Sequence, residues 1–412
     1  MKYQTATLPN GLRVILLPSA SSVVYCGYQI AAGTRHEQPG EEGLAHFCEH
    51  VTFKGTRHRN ALQVINALEK VGGELNAFTN KEDTTFYAAI HSDHLQKAVD
   101  LLTDIVFDSQ YPQTEIDKEI EVICDEIESY NDSPAELIYD DFENILFEGH
   151  PLGHNILGEA DQLRSYTTDD ALRFTRRHYR PDNAVFFVYG HVDFKRVVSS
   201  LRRAFSKLKL TPAAPAAALP AAPLPEPPSE ARTVVREKGA HQAHVMTGCI
   251  AFAVDHPLRI ALYLLNNLLG GPGMNSWLNL SLRERHGLVY TVESTMVCYG
   301  DTGLWTVYYG CDQADVVKCR RLVRRQLDRL MDKPLSKSLL LSAKQQLKGQ
   351  IAIACDNREN FALDFGKSFL HNGTEKDLDT LFQQIDNVKA ADLQQVARQL
   401  FAPDRLLTLI YQ

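Results

Sequence analysis

The chain has 412 residues, of which 44% are hydrophobic and 23% are charged, and this composition is that of an ordinary globular protein. Its 43 basic and 51 acidic residues give a net charge of −8. This balance argues against a partner that is nucleic acid or an anionic membrane, because binding either without sequence preference needs clustered positive charge.

The cellular compartment is expected to be the cytoplasm. The first residues contain no apolar signal-peptide region, and no apolar run approaches the roughly 18 residues that cross a membrane. The eight cysteines are scattered without a CxxC pair, which is typical of buried, reduced thiols.

Hydrophobic periodicity predicts the following elements of the first half. In chain order they are strands 14–17 and 23–30, helices 43–53 and 60–71, strand 86–90, helices 94–107, 115–129 and 168–178, and strand 184–189. Because hairpins are mixed with long helices, without strict βαβ alternation, the pattern predicts an α+β fold. We expect α/β sandwiches in which a mostly antiparallel sheet is flanked by helices.

A segment rich in proline and alanine, 211–228, divides the chain into predicted domains 1–210 and 229–412. Such a segment favours extended polyproline II structure and acts as a semi-rigid linker. The sequence of 180–189 reads like that of 402–411, at a constant offset of 222 residues. This similarity predicts two homologous domains that arose by internal duplication.

The sharpest motif is HxxEH, formed by His46, Glu49 and His50. Residues four apart on a helix lie on one face, so the two imidazoles can chelate one metal ion while Glu49 reaches a metal-bound water. Two His ligands, one carboxylate and a water make a hydrolytic zinc site. The alternative is a helix that happens to carry two histidines, so a third ligand is needed. Cys48, inside the motif, is expected to pack in the core.

Glu119 and Glu126 are candidates for completing this site. They stand seven residues apart on one stripe of helix 115–129, so one can reach a metal and the other a ligand's free ring nitrogen. The alternative is a solvated acidic face. His150 and His154 flank a Pro-Leu-Gly turn and are read as loop residues, with a ligand role as the alternative.

Together these motifs resemble the M16 family of inverzincin metallopeptidases, which includes pitrilysin, insulin-degrading enzyme and the mitochondrial processing peptidase. The chain looks most like the short bacterial M16B type, which is similar to the subunits of the processing peptidase. The matching segments are 8–14, 33–35, 43–50, 53–56, 72–79, 122–127, 132–134, 150–153, 156–158 and 282–290. The resemblance implies the LuxS/MPP-like metallohydrolase fold in both domains.

The resemblance also implies roles for residues of the first half. One Zn²⁺ per chain would be held by His46, His50 and Glu126, with Glu49 as general base and Glu119 as the carboxylate behind a ligand. A sheet edge beside the metal would bind peptide substrates as an added strand. The residues at this edge are Asn76, Ala77 and Phe78, and the alternative is a plain surface hairpin.

In the second half, Leu262, Leu265 and Asn266 align with the motif residues, so this half is expected to be free of metal. Arg283 and Tyr290 match the Arg/Tyr pair that active family members direct at the substrate carbonyl, where they stabilise the developing oxyanion. The alternative is a solvent-exposed arginine and a core tyrosine.

By resemblance, the function is that of a zinc-dependent endopeptidase that cleaves unfolded or short peptides in an enclosed chamber. The longer relatives carry four similar domains, so a two-domain chain is expected to form a homodimer with composite active sites. One alternative is a non-catalytic scaffold like the respiratory-complex core subunits. Another is the zinc-bearing partner of a heterodimeric processing peptidase.

Overall fold

The computed structural model describes residues 2–208, 223–224 and 231–412. The predicted linker 211–228 therefore lies outside the described residues, apart from Pro223 and Leu224. The described residues form two compact units. The first unit draws on Met1–Glu128, His154–Ala222 and Cys355–Asp377, and the second on Ser129–Gly153, Pro223–Ala354 and Leu378–Gln412.

Strands and helices follow one another in groups along the chain. The strands are β1 (Gln4–Thr7), β2 (Arg13–Pro18), β3 (Val23–Ile30), β4 (Glu74–Thr79), β5 (Thr84–His91), β6 (Ala184–Gly190), β7 (Arg232–Arg236), β8 (Ala243–Ala251), β9 (Val289–Cys298), β10 (Gly303–Cys311) and β11 (Leu407–Tyr411). The helices are α1 (Leu44–Thr52), α2 (Ala61–Glu69), α3 (Leu95–Asp108), α4 (Gln113–Asn131), α5 (Pro134–Leu146), α6 (Ala160–Leu163), α7 (Thr168–His178), α8 (Phe194–Phe205), α9 (Arg259–Gly270), α10 (Val316–Asp332), α11 (Lys337–Ala354), α12 (Arg358–Asn372), α13 (Leu378–Asn387) and α14 (Ala390–Leu400).

The sheet of the first unit has the order β1-β2-β6-β3-β5-β4. Strands β2 and β6 are parallel and all other neighbours are antiparallel. Successive residues of a strand point to opposite faces, and both faces of this sheet are covered. Phe186 of β6 joins the core that contains α1, α3 and α7, whereas the next residue, Phe187, packs with Phe361 and Phe365 of α12. Burial on both faces explains why β2, β5 and β6 read as nearly continuous apolar runs.

The sheet of the second unit has the order β7-β11-β8-β10-β9. Strands β7 and β11 are parallel and the other neighbours are antiparallel, so this sheet repeats β2-β6-β3-β5-β4 strand for strand. The two similar segments, 180–189 and 402–411, lie at equivalent positions in the two sheets. In each, a short 3₁₀ turn (Pro181–Asn183 or Pro403–Arg405) leads into the equivalent strand, β6 or β11. The common topology agrees with an internal duplication, and the α+β prediction is confirmed.

Two helices pack away from the half of the sequence in which they occur. Helix α5 follows α4 in the first half, yet its Leu137 and Phe142 share a core with Leu409 of β11 in the second unit. Helix α12 lies late in the sequence, yet Gln29 of β3 donates to Leu363 O over 2.9 Å in the first unit. A division of the chain at its proline-rich segment would assign α5 to the first unit and α12 to the second. The structure assigns them the other way, because each helix packs its apolar face on the sheet of the other unit.

Within the described residues, none of the helices combines the length and the apolar character that crossing a membrane requires.

Candidate metal centre

The HxxEH residues lie on α1, whose start is fixed by buried hydrogen bonds. Gly43 caps the helix with φ +84°, a left-handed conformation that glycine adopts at little cost. The Glu37 carboxylate accepts the N–H groups of Gly43 at 3.0 Å and Ala45 at 2.7 Å, which lack partners within the helix. The helix is therefore held rigidly one residue before His46.

The third group comes from α4, the long acidic helix. Its buried stripe consists of Ile116, Glu119, Ile120, Ile123, Cys124 and Ile127, so Glu119 is set among apolar residues. Glu126, two turns beyond Glu119, is directed at α1 with 46% of its side chain exposed. The acidic-face alternative therefore fails for Glu119, whereas Glu126 is exposed and also contacts both histidines.

Three donor atoms converge between the two helices. Glu126 Oε2 lies 3.4 Å from His50 Nε2 and 4.0 Å from His46 Nε2, and the three potential ligand atoms lie within 4.8 Å of one another. Two imidazole nitrogens and one carboxylate oxygen are a donor set typical of catalytic zinc. His46 Nδ1 is buried and has no hydrogen-bond partner among the described residues. The other ring nitrogen, Nε2, is the one that faces Glu126. The residues fit a zinc ion.

The electrostatics of the cluster favour a cation. Burial, together with the neighbouring His50, lowers the pKa of His46 to about 4, so its lone pair is available at neutral pH. Burial also acts to lower the pKa of His50, but hydrogen bonds to Glu119 and Glu126 outweigh it and raise this pKa to about 9. The hydrogen bond from His50 holds the pKa of Glu126 below its usual value. Without a metal, a positive charge is thus held at His50.

Glu49 lies on the same helix but belongs to a different set of contacts. It is 8% exposed, and Thr79 Oγ1 donates to its Oε2 atom over 2.8 Å. Burial raises the pKa of Glu49 above its usual value, although the Thr79 hydrogen bond opposes the shift. A carboxylate whose pKa is raised takes up a proton more readily than an exposed one, which suits a group that accepts and returns a proton.

Glu119 connects the cluster to a lysine. His50 Nδ1 donates to Glu119 Oε1 over 3.0 Å, and Lys54 Nζ lies 2.5 Å from Glu119 Oε2. Burial acts to raise the pKa of Glu119, but these two partners outweigh it and the pKa is lowered. Glu119 therefore has the geometry of a carboxylate that orients a ligand histidine. Lys54 was not anticipated from the sequence.

The predicted substrate strand is β4, the last strand of its sheet. Asn76, Ala77 and Phe78 pair with β5 on one side, and among the described strands none pairs with the other side. The strand ends at Thr79, the residue that binds Glu49. Residues 76–78 therefore lie on an edge strand that leads directly to the metal cluster.

The predicted Arg/Tyr pair lies in the second unit. The Arg283 guanidinium lies 5.7 Å from the centroid of the Tyr290 ring, and Tyr290 is 83% exposed. The alternative of a core tyrosine is therefore wrong. The two side chains are neighbours, available to a ligand or a partner.

The second-unit residues that align with the HxxEH motif are part of a packed core. Leu262 and Leu265 of α9 are fully buried. Asn266 Oδ1 accepts hydrogen bonds from Trp305 Nε1 at 3.1 Å and from Ser294 Oγ at 2.5 Å. Asn266, which aligns with His50, is thus used for hydrogen bonds within the core.

The remaining candidates lie outside the cluster. Cys48 is fully buried, as expected of a packing residue. His154 is a loop residue whose Nε2 donates to Glu37 Oε2, a contact the sequence did not indicate. A second group close enough to hold a metal consists of His58, Asp104 and Asp108. Its two carboxylates already form ion pairs with Arg59 and Arg57, so we assign it no metal.

The chain is similar to known proteins over most of its length. Residues 13–160 match the family described as "Insulinase (Peptidase family M16)", and residues 165–347 match "Peptidase M16 inactive domain". A protein of Streptomyces coelicolor named an uncharacterized zinc protease is 34% identical over 98% of this chain and 88% of its own length. One of Bacillus subtilis with the same description is 32% identical over 98% of this chain and 97% of its own.

Solved structures show the same architecture. A protease from Helicobacter pylori superposes with a TM-score of 0.90 at 25% identity, covering 100% of this chain and 99% of that one. A structure from Pseudomonas fluorescens described as a peptidase M16 inactive domain gives a TM-score of 0.89 at 18% identity, with coverage of 100% and 98%, and this likeness concerns the fold alone. From its motifs, its fold and these relatives, we conclude that the chain belongs to peptidase family M16.

Proposed function

We propose that the chain is a zinc-dependent endopeptidase that cleaves unfolded or short peptides. The observation that carries the proposal is the convergence of His46 Nε2, His50 Nε2 and Glu126 Oε2, with Glu49 on the same helix. Both relatives are named uncharacterized zinc proteases, and these names support zinc as the metal. The eight unbridged cysteines support a reducing, cytoplasmic compartment.

Different residues of the first unit have different roles in the proposed reaction. Zinc, when bound by His46, His50 and Glu126, supplies a Lewis acid that activates a water molecule and polarises the scissile carbonyl. Glu49 accepts a proton from the attacking water and returns it to the leaving amine. Thr79 holds one oxygen of Glu49, which leaves the other oxygen for the proton.

Strand β4 supports an extended peptide as substrate. A peptide that adds to Asn76, Ala77 and Phe78 as a further strand exchanges backbone hydrogen bonds with the free edge. A folded protein cannot offer such a strand without opening. Because β4 ends beside Glu49, a bound peptide would extend towards the metal cluster.

Arg283 and Tyr290 are proposed to stabilise the oxyanion from a second copy of the chain. The proposal rests on the family resemblance, in which four domains enclose the substrate chamber, and on the exposure of both side chains. An exposed guanidinium and phenol are suitable donors for a developing negative charge. A homodimer would supply the four domains that a single chain lacks.

Two other functions compete with this proposal. A non-catalytic scaffold needs neither a metal nor a base, whereas here the three donors and Glu49 are all assembled. The zinc-bearing partner of a heterodimer would obtain the Arg/Tyr pair from a different chain, whereas this chain has its own. Both observations favour a self-sufficient peptidase.

The test is digestion of a peptide library, followed by mass spectrometry. The wild-type protein is expected to cleave unfolded peptides, and Glu49→Gln to produce none of the same fragments above background. Glu82→Gln is a matched control, because Glu82 pairs with Arg35 and is not a member of the cluster of possible metal ligands. Cleavage that persists unchanged in Glu49→Gln would mean a contaminating protease or a different base.

A further inference from the structure

A lysine ammonium lies behind the carboxylate that supports one metal ligand. Lys54 Nζ contacts one oxygen of Glu119 at 2.5 Å, and His50 Nδ1 donates to the other oxygen at 3.0 Å. The side chain of Lys54 is 27% exposed and that of Glu119 is 10% exposed. This pair is therefore partly shielded from solvent, unlike ordinary surface ion pairs, which contribute little.

The charge on Glu119 affects what His50 offers to a cation. A carboxylate that accepts the Nδ1–H bond increases the electron density at Nε2, which strengthens the bond to a metal. The same donation reduces the positive charge that the metal retains. An ammonium group on the far oxygen of that carboxylate withdraws negative charge and acts against both effects.

We propose that Lys54 is a positioning residue that weakens zinc binding and thereby preserves the Lewis acidity of the site. The inference rests on the proposed function, since it concerns the zinc ligands named there. A divalent cation bound by His50 places positive charge on the side of Glu119 opposite Lys54. The ammonium opposes uptake of the cation, so its effect on affinity has a defined sign.

A purely orienting role for Lys54 predicts the opposite sign. If the lysine served only to hold Glu119 against His50, its removal would let the carboxylate move away and would weaken metal binding. The two roles are therefore separated by the direction of the change in affinity.

The experiment measures zinc affinity and turnover separately. Metal-free protein is titrated with zinc against a chromogenic chelator at one fixed, mildly alkaline pH, and kcat is measured on an unfolded peptide at saturating zinc. The variants are Lys54→Met, Lys54→Gln, Lys54→Arg and Glu119→Gln. Thermal unfolding of each metal-free variant verifies that it folds, and Lys54→Gln replaces Lys54→Met if the latter does not.

Lys54→Met is expected to bind zinc about tenfold more tightly than wild type, because removing one nearby charge is worth roughly that factor, and to have a lower kcat. Lys54→Arg keeps the charge and should stay close to wild type in both measurements. Glu119→Gln should bind zinc about 10- to 100-fold more weakly. In the Glu119→Gln background the effect of Lys54→Met should shrink, because the lysine acts through this carboxylate.

Unchanged or weaker zinc binding by both neutral Lys54 variants would overturn the inference, as would tighter binding by Lys54→Arg. Failure of the proposed function has a different signature, because the wild-type protein would then take up no zinc. Tighter zinc binding without a fall in kcat would also overturn it, since Lewis acidity would then not depend on Lys54.

Discussion

His154 Nε2 donates to Glu37 Oε2 over 2.8 Å, which links a loop after α5 to the helix that carries the metal ligands. The same carboxylate caps the first turn of α1 and is buried, with only 1% of its side chain exposed. Lys81, in the turn between β4 and β5, donates in turn to the carbonyl oxygen of His154. The loop thus connects the start of α1 to the strand on which we expect substrate to bind.

The Glu37 carboxylate gives the first prediction. Glu37→Ala should lower the free energy of unfolding by about 2–4 kcal/mol, because it leaves buried N–H groups of Gly43 and Ala45 without acceptors. The measurement is urea denaturation of the metal-free protein. Glu42→Ala is the matched control, since the Glu42 side chain accepts the N–H of Gly40 in an exposed loop and a change to alanine leaves its backbone carbonyl in place. Equal losses in the two variants would show that Glu37 does not secure the helix.

The second prediction separates metal ligands from the base. His46→Ala and Glu126→Ala should lose zinc, because each removes one of three converging donors. Glu49→Gln should keep zinc and lower kcat by at least about 100-fold, because Glu49 handles a proton and binds no metal. Metal content is measured by plasma mass spectrometry after dialysis, with the exposed Glu128→Gln on α4 as control. Equal zinc loss in Glu49→Gln and His46→Ala would overturn these roles.

The third prediction concerns acid stability through Asp83, in the turn after β4. Its carboxylate is 1% exposed and pairs with Lys367 at 2.7 Å and His371 at 3.2 Å. Burial alone would raise the pKa of Asp83, but these partners and Asn80 outweigh it and lower the pKa to about 2. Since the folded pKa lies below the unfolded value, the folded state binds fewer protons. The resulting stability is present above about pH 3.8 and is lost as the pH falls through about 2.

Asp83→Asn should therefore flatten the dependence of unfolding free energy on pH between about 4 and 2 by close to one proton, or about 2 kcal/mol in total. Chemical denaturation at several pH values measures this slope. Asp161→Asn, at a fully exposed carboxylate, is the control and should leave the slope unchanged. A slope identical to wild type in Asp83→Asn would refute the assignment.

The sequence predicts those parts of the site that depend on local spacing. The four-residue interval of His46 and His50 and the seven-residue interval of Glu119 and Glu126 are properties of single helices, and both align in the structure as expected. Which helix packs against α1 depends on tertiary structure, and only the family resemblance predicted that α4 supplies the third ligand. Lys54 lies in the matching segment 53–56, but the sequence gives it no role, because its partner Glu119 is distant in the chain.

The exchange of α5 and α12 between the units shows a second limit. Each helix has an apolar face typical of any amphipathic helix, and the pattern does not say which sheet the face covers. Gly366 of α12 illustrates what decides it. A Cβ atom there would lie 2.5 Å from Gln29 Oε1 and 3.0 Å from Phe187 Cβ, so glycine permits a close approach to β3 and β6. Complementarity of this kind is visible only in three dimensions.

The last prediction tests whether Arg283 and Tyr290 act across a homodimer. Chains carrying Glu49→Gln are mixed with chains carrying both Arg283→Ala and Tyr290→Phe, each nearly inactive alone. If the pair acts in trans, the mixed dimer has one site with an intact Glu49 from one copy and an intact Arg/Tyr pair from the other. Peptide cleavage by the mixed dimer should then recover towards half of the wild-type rate.

A matched control removes the possibility that mixing itself restores activity. Glu49→Gln chains mixed with chains that carry all three substitutions contain no intact base, so no recovery is expected. If the pair acts within one chain, every copy in the first mixture lacks either the base or the Arg/Tyr pair, and the mixture stays as inactive as its components. That outcome, with subunit exchange verified by native mass spectrometry, would exclude a composite site. Arg283 and Tyr290 would then have to serve the metal cluster of their own chain, or another role altogether.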